Sequence, residues 1–435
     1  MFNRWKISSL LVLLFIAPLL SANSYNIVER FQILEDKFRT QELLRPYGHD
    51  FYLDIHALAN TDVMDFLGDV EDVADFQGSE ADTLANAQSF LRSYDRTEQN
   101  LRLNIGLGIP LFSFTAFGVK VKPSLRLQGN LGFLMGIQTS NLTTAQAIEY
   151  LGNDIDPAIK AKLNSCIGSF GPFTPSSTTQ DRDIVYHLIN ETSCGLSPVE
   201  QAAITPFLGK YIFPADTTVP DIYNYIKGEG RVGLNFDYVF DKHFFGALNL
   251  YALGRADFSV RISADALTNE NSNVGDLPDG LNTTVNLAMD YHLGYRNGNL
   301  TGLVGLEDVK LSRLSDKEEQ YGELFYGEDM LIRLHGEYLY KYSLFSVKPF
   351  VGLHKRSSYG VGDGYYLGAD LAMRVWSERL GLRFRGMLDN EHLTIAPRID
   401  LWLLELEYML KQPVIEEVNG IKPSTIHSVN LRIAI

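Results

Sequence analysis

Two Asp-x-His pairs are the residues in this chain whose spacing could most readily do chemistry. Asp54 and His56 are two apart, as are Asp290 and His292, so in an extended strand each pair shares one face. A carboxylate beside an imidazole can orient a base or complete a metal's ligand set. No third ligand stands at a matching spacing, and the chain contains no His-Glu-x-x-His, Walker A or EF-hand pattern. No catalytic, cofactor or metal site is therefore expected, and the chain is read as a non-enzyme. "GEGRVG", Gly228 to Gly233, has the glycine spacing of a dinucleotide loop. It opens a strand, whereas that loop follows a strand and opens a helix, so these glycines read as a strand entry.

The broader constellation is a charged face. Along the alternating segments Arg102, Lys120, Lys122, Arg126, Arg231, Arg333, Lys341, Lys348, Arg374, Arg383, Arg385, Arg398 and Arg432 stand opposite apolar residues, against the acids Asp54, Asp237, Asp290, Glu337 and Asp370. If that face encloses a lumen, the expected lining includes Lys120, Lys122, Arg126, Arg231, Asp290, His292, Arg333, Glu337, Arg374, Arg383, Arg385 and Arg432. An open lumen of this kind favours anions. A plugged or narrow one would pair the same charges in salt bridges. Both remain open at this point.

The elements that must position these residues are strands. In "VKVKPSLRLQGNLGFLMGI", Val119 to Ile137, apolar and polar residues alternate for a length far beyond an ordinary strand. Further alternating segments run from about residue 50 onward, over 51–58, 100–109, 115–138, 229–240, 243–263, 283–297, 299–312, 330–342, 346–356, 364–376, 379–388, 393–409 and 424–435. Such alternation sets one face in an apolar medium and the other in a polar one. Short turns at Asp241-Lys242, Asn297-Gly298, Ser343 and Ser377-Glu378 alternate with long links at 60–98, 139–228, 264–282, 314–328 and 358–363. A transmembrane β-barrel has this order, with tight turns at one rim and long loops at the other. A single-chain barrel needs an even strand number. Adding a strand at "PVIEEVN", 413–419, gives an up-and-down antiparallel barrel of fourteen, with twelve as the alternative.

Two inserts carry helical patterning. "VMDFLGDVEDVADF" puts Val63, Phe66, Leu67, Val70, Val73 and Phe76 on one helical face, and Ser197-Pro198-Val199-Glu200 is a capping-box start. The helices at 60–98 and 139–228 are expected to form a lid over the barrel mouth. Residues 25–49, with "FQILEDKF", read as a periplasmic extension or a small plug.

"MFNRWKISSLLVLLFIAPLLSANS" has the layout of a signal peptide over 1–24, with Arg4 and Lys6 before an apolar run. The formal charge is −15, and removing Arg4 and Lys6 makes it −17. That argues against nucleic acid as a partner. In an exported chain Cys166 and Cys194 are expected to form a disulfide, which would close its loop for about 3–4 kcal/mol.

From about residue 50 the alternating strands, ending in "HSVNLRIAI", resemble those of Gram-negative outer-membrane β-barrel proteins. The resemblance implies a lipid bilayer and the outer-membrane insertion machinery as partners, although that class usually ends on Phe or Trp and this chain ends on Ile435. A fourteen-strand barrel with an N-terminal extension is also similar in outline to the long-chain fatty-acid transporters, without the Asn-Pro-Ala-type motif of their N-terminal region. "HLGYRNG" resembles the His-x-Ser-Asn-Gly stretch of outer-membrane phospholipases, but Gly294 stands in the serine's place, so His292 has no hydroxyl to activate. The expected function is a channel or transporter for small solutes, porin-like and with an anion preference. The alternative is a plugged barrel that anchors loop 139–228 at the surface as an adhesin or receptor.

Overall fold

The alternation closes on itself. A computed structural model describes residues 26–44, 49–74, 86, 89–141, 159, 186, 189–190, 195–207, 218–263, 281–317, 329–375 and 380–435. The signal-peptide residues, Cys166, Cys194, the turn at Ser377-Glu378 and most of 139–228 lie outside the described residues. The strand segments are β1 (Tyr52–Asn60), β2 (Thr97–Pro110), β3 (Phe114–Ala116), β4 (Val119–Asn141), β5 (Thr218–Val239), β6 (Phe244–Ser263), β7 (Asn282–Asn297), β8 (Leu300–Lys317), β9 (Leu331–Tyr338), β10 (Tyr340–Tyr342), β11 (Phe345–Lys355), β12 (Tyr365–Val375), β13 (Leu380–Asp389), β14 (His392–Leu401), β15 (Leu404–Pro413) and β16 (Ile426–Ala434). Both β2 and β3 pair with β4, and both β9 and β10 with β11. Each couple is thus one interrupted stave, and the wall is a closed antiparallel barrel of 14 strands. Closure is made by β1 against β16, from Tyr52 opposite Ala434 to Asn60 opposite Ile426. The terminal strand therefore has no free edge.

The strand count is as expected, but one strand lies elsewhere. The segment read as a single strand over 393–409 is the hairpin β14–β15, which turns at Trp402-Leu403. "PVIEEVN" contributes only an isolated bridge between Val418 and Ile421. The turn carries no Gly, Pro, Asn or Asp to announce it, and Trp402 itself takes the left-handed backbone, with φ 52°, where a bulky residue is uncommon. The hairpin joining β3 to β4 uses the same backbone region at Phe117 (φ 51°) and Gly118 (φ 77°), matching the twist of its strands. In the β5–β6 turn, Asp241 Oδ1 accepts from the backbone N–H of His243 at 2.5 Å and of Phe244 at 2.7 Å. Those two bonds hold its carboxyl below the usual range.

Strands β4, β5 and β6 have 23, 22 and 20 residues, about 65–75 Å each at strand rise. They project beyond the rest of the wall at the long-loop rim. Helix α1 (Ile27–Leu44) precedes the barrel in sequence, and helix α2 (Val63–Ala74) follows β1. The lid expected of α2 is not what forms. Phe66 of α2 and Leu91 pack on Met135, Ile137 and Ile222. These residues alternate with the inward Leu134 and Tyr225, so they face outward. The insert braces the flank of the projecting β4–β5 hairpin because that outer face is apolar and its lumen face is already filled. A third helix, α3 (Pro198–Ile204), starts with the expected capping box, Ser197 with Glu200. A single turn, α4 (Val361–Gly364), lies between β11 and β12.

Candidate functional site: a helix-filled lumen

Residues 26–44 occupy the inside of the barrel. The 18 residues of α1 span about 27 Å at helical rise. Its side chains reach β2, β5, β8, β9 and β13 on opposite sides of the wall. Its first turn sits at the long-loop rim: Ile27, Val28 and Phe31 pack with Leu134, Tyr225 and Ile421. Its last turn lies deeper, where Leu44 meets Phe350, Tyr366 and Met387. The chain then reappears at the short-turn rim, where His49 Nε2 lies 3.1 Å from the Leu111 carbonyl. The N-terminal segment thus descends from the long-loop mouth to the start of β1. Helix α1 is weakly amphipathic in sequence, because a helix enclosed by a polar wall has no dry face to keep.

The contacts are ionic. Arg30 pairs with Glu98 at 2.6 Å and Glu391 at 2.7 Å, and Lys37 pairs with Glu391 at 2.7 Å and Asp389 at 3.4 Å. Glu391 lies in the β13–β14 turn and is 1 % exposed. Burial alone would raise its carboxyl, but Arg30 and Lys37 outweigh burial and hold it well below its ordinary value. Glu35 receives Lys227 at 2.7 Å, and Asp36 takes both forks of Arg356 at 2.7 and 2.8 Å. Arg39 lies 3.1 Å from Glu307 and 2.5 Å from Asp308. Those two acids are neighbours in sequence, yet both face the lumen. The β7–β8 ladder shifts register near Met289, and Asp308 has φ 58°; such a bulge re-aims a side chain that regular pleating would point outward.

Most of the expected lining residues meet partners in this network. Arg231 joins Glu229 at 2.6 Å and Asp308 at 2.9 Å; Arg333, fully buried, joins Glu307 at 2.8 Å and Thr40 Oγ1 at 2.6 Å. Arg385 reaches Asp370 at 3.3 Å and Gln41 of α1 at 3.0 Å. Arg383 lies 3.0 Å from Asp400, Arg432 lies 3.3 Å from Asp54, and Glu337 lies 3.1 Å from Lys348. Arg126 is a looser neighbour of Asp237, at 3.8 Å. Asp290 accepts from Tyr251 Oη at 2.8 Å, and His292 Nε2 is 3.1 Å from Glu307. Lys122 is half-buried opposite Asp237, Lys120 is exposed near the Phe117-Gly118 turn, and Arg374 is half-buried at the short-turn end of β12.

Two features correct the sequence reading. The inward face is not predominantly basic, because Glu98, Glu229, Asp257, Glu307, Asp308, Asp389, Asp400, Glu405 and Glu407 are also within it or at its rim. Several of these acids fall outside the segments first drawn or at a bulge, so alternation did not display them. The Asp-x-His pairs do not act as units either. Asp54 takes Asn430 and Arg432, while His56 bonds closely to Ser428 and stacks on Phe38 with ring centroids 4.1 Å apart. That serine–histidine contact is covered by α1. At Gly294 a Cβ would meet the Phe245 ring at 2.3 Å, so no hydroxyl could be added beside His292 without displacing that ring. No group of metal-ligating residues occurs among the described residues.

A cavity of about 310 Å³ remains between α1 and the β2–β8 side of the wall. It runs from Phe31 to Asp237 and Phe245, close to the β5–β6 turn.

No family model and no curated protein matches the chain. Solved structures similar to it include the transport unit of the autotransporter AIDA-I from Escherichia coli, at 7 % identity over 94 % of this chain and 99 % of that one, TM-score 0.33. A Pseudomonas aeruginosa FadL homologue aligns at 8 % identity over 77 % and 68 %, TM-score 0.30. CdiB from Escherichia coli aligns at 7 % identity over 90 % and 63 %, TM-score 0.29. Likenesses this distant say nothing about what the chain carries or binds.

Proposed function

We propose that this chain is an outer-membrane β-barrel of a Gram-negative bacterium, stoppered by its own helix α1, which admits small polar solutes when α1 shifts. The observation that carries the membrane placement is the outward face of the wall. Leu103, Leu131, Val232, Val304, Val351, Leu382 and Val429 are 39–60 % exposed, and each alternates with an inward polar or small residue. Around the short-turn rim Phe112, Phe117, Tyr342 and Trp402 are 67–102 % exposed. Water penalises an apolar belt of that extent, whereas lipid accepts it and an aromatic rim anchors it. Insertion would use the outer-membrane assembly machinery.

The lumen supports solute passage. Its walls are polar and α1 holds them through ion pairs, which water and salt can compete for. The cationic side chains are matched by acids, so little anion preference is assigned. No catalytic role is assigned: His292 is engaged with Glu307, and Gly294 stands where a serine hydroxyl would be.

The test uses the full chain. It should sediment with lipid vesicles and, in planar bilayers, give infrequent discrete conductance steps. A chain that stays in solution without detergent refutes the membrane placement. A permanently open, large pore refutes the stopper, and silence from verifiably inserted protein refutes solute passage.

A further inference from the structure

The cavity beside α1 has an unusual lining for so charged an interior. Most ions at its border hold one another: Lys227 with Glu35 and Glu229, Arg231 with Glu229 and Asp308, His292 with Glu307, while Glu42 accepts the Asn104 amide and Arg126 is a loose neighbour of Asp237. Four amides stand among them. Asn104 is 6 % exposed; it donates to Glu42, and its Oδ1 has no partner among the described residues. Asn249 donates to Asp290 at 3.2 Å, and its Oδ1 is likewise unpartnered. Gln128 and Asn130 also border the cavity and give their amides to no described residue. Asn104 and Asn130 are cross-strand partners on β2 and β4, so their amides lie side by side. Phe31, Phe38 and Phe245 supply apolar ring atoms, one face of each being taken by Arg102, His56 and Arg296.

We propose that this cavity binds a small, neutral, polyhydroxylated solute, a free sugar or sugar alcohol. The inference rests on the reading of the chain as a stoppered barrel that passes small solutes, and it names the class. An amide offers a donor and an acceptor together, as does a hydroxyl, so a polyol can satisfy several amides without disturbing an ion pair. To take an anion or a cation, most of the ions lining the cavity must give up a pair already formed. A wholly apolar solute would leave the buried amide oxygens unsatisfied. The ring atoms that Phe31, Phe38 and Phe245 present to the cavity suit the C–H groups of a sugar ring. The volume sits at the lower end of the range of about 300–1,000 Å³ for ligand pockets, which suits a solute of one or two rings.

The experiment uses the full chain in detergent micelles, with saturation-transfer NMR and equilibrium dialysis. The probes are glucose, maltose and mannitol, against glucose 6-phosphate and glucosamine. The neutral probes should bind, and Gln128→Leu and Asn130→Leu should each weaken them about five- to tenfold, the effect of one or two lost hydrogen bonds. Should either variant fail to fold, Gln128→Glu serves in its place, adding a charge at the same site and again weakening the neutral probes. No binding of neutral probes by the folded chain, tighter binding of the phosphate or the amine, or variants that bind as the parent does would each overturn the proposal. Vesicle sedimentation of the same preparation separates the two readings. A chain that inserts but ignores sugars sinks this inference alone, and one that binds sugars but stays out of vesicles sinks the membrane placement alone.

Discussion

Replacing Arg30 with Met tests whether ion pairs hold α1 in place. Arg30 is 3 % exposed; its Nε and Nη2 donate to Glu98 at 2.9 and 2.6 Å, and its Nη1 donates to Glu391 at 2.7 Å. Methionine keeps most of the volume and removes the charge. Glu391 retains Lys37, but Glu98, 2 % exposed, loses its guanidinium. Removing one partner of a buried pair costs about 3–5 kcal/mol. At about 1.4 kcal/mol per tenfold, that is roughly a 150- to 4,000-fold rise in the undocking equilibrium of α1. Hydrogen exchange read by mass spectrometry over 27–44 reports it directly, because a helix that opens without the barrel exchanges through that local equilibrium. Protection over α1 should fall by two to three orders of magnitude, while that of β12–β15 stays unchanged. Combining Arg30→Met with Glu98→Leu should restore most of the protection, since an apolar pair can replace a buried ionic one at little cost. Unchanged protection in the single variant, or an equal loss in the double, would refute the idea that this pair clamps the helix.

Three further outcomes follow from the same geometry. A side chain at Gly132 would lie 2.5 Å from the Phe31 ring, so Gly132→Val should wedge α1 from β4 and raise open probability in bilayers several-fold; unchanged gating counts against α1 as the stopper. Glu391 is depressed below its ordinary value of 4.5, so the stability it adds is fully present above that value and is lost as pH falls below it. Hydrogen exchange of α1 corrected for intrinsic rates should therefore accelerate below about pH 4.5, and in Glu391→Gln that acceleration should be weakened. Trp402→Ala removes a residue 67 % exposed on the short-turn rim; it should weaken vesicle association measurably without altering α1 protection, and loss of α1 protection would argue that the turn has a packing role instead.

The wall was legible in the sequence because a period of two is the direct consequence of having two solvents. Each long segment displayed it, and the turns at Asp241, Asn297 and Ser343 announced themselves through residues that favour tight turns. The hairpin at Trp402 did not, because its left-handed position is held by the strands on either side. The start of β5 was drawn eleven residues late. There Ile222 and Tyr225 are apolar on both faces, one under Leu91 outside and the other under Phe31 inside, so alternation vanishes where both sides are covered. The lumen was half legible. Arg231, Arg333 and Arg385 were visible as inward cations, but Arg231 and Arg333 take Asp308 and Glu307 at the bulge, and Glu391 in the β13–β14 turn takes Arg30 and Lys37 from α1. Nothing local in a strand reveals a counter-charge supplied by a segment hundreds of residues away.

That division bears on why ion pairs hold α1 in the lumen. With an apolar outer face and an apolar lumen a strand would have no reason to prefer one face over the other, so a polar inner face fixes which way each stave turns. Charges on that face then need partners, because burying them unpaired is prohibitive. Arg30, Lys37 and Arg39 of α1 meet Glu98, Glu391, Asp389, Glu307 and Asp308 of the wall, while Glu35 and Asp36 meet Lys227 and Arg356. Withdrawing the helix strips Glu98, Glu391 and Asp389 of Arg30 and Lys37, and Glu307 and Asp308 of Arg39, leaving those last two with Arg333, Arg231 and Arg356 of the wall. Water and counter-ions must enter as α1 leaves, so opening and hydration are one event. A helix held by apolar packing would be expelled less readily as salt rises. This one should be released more readily, because the ions that screen its pairs are the ones that must take its place.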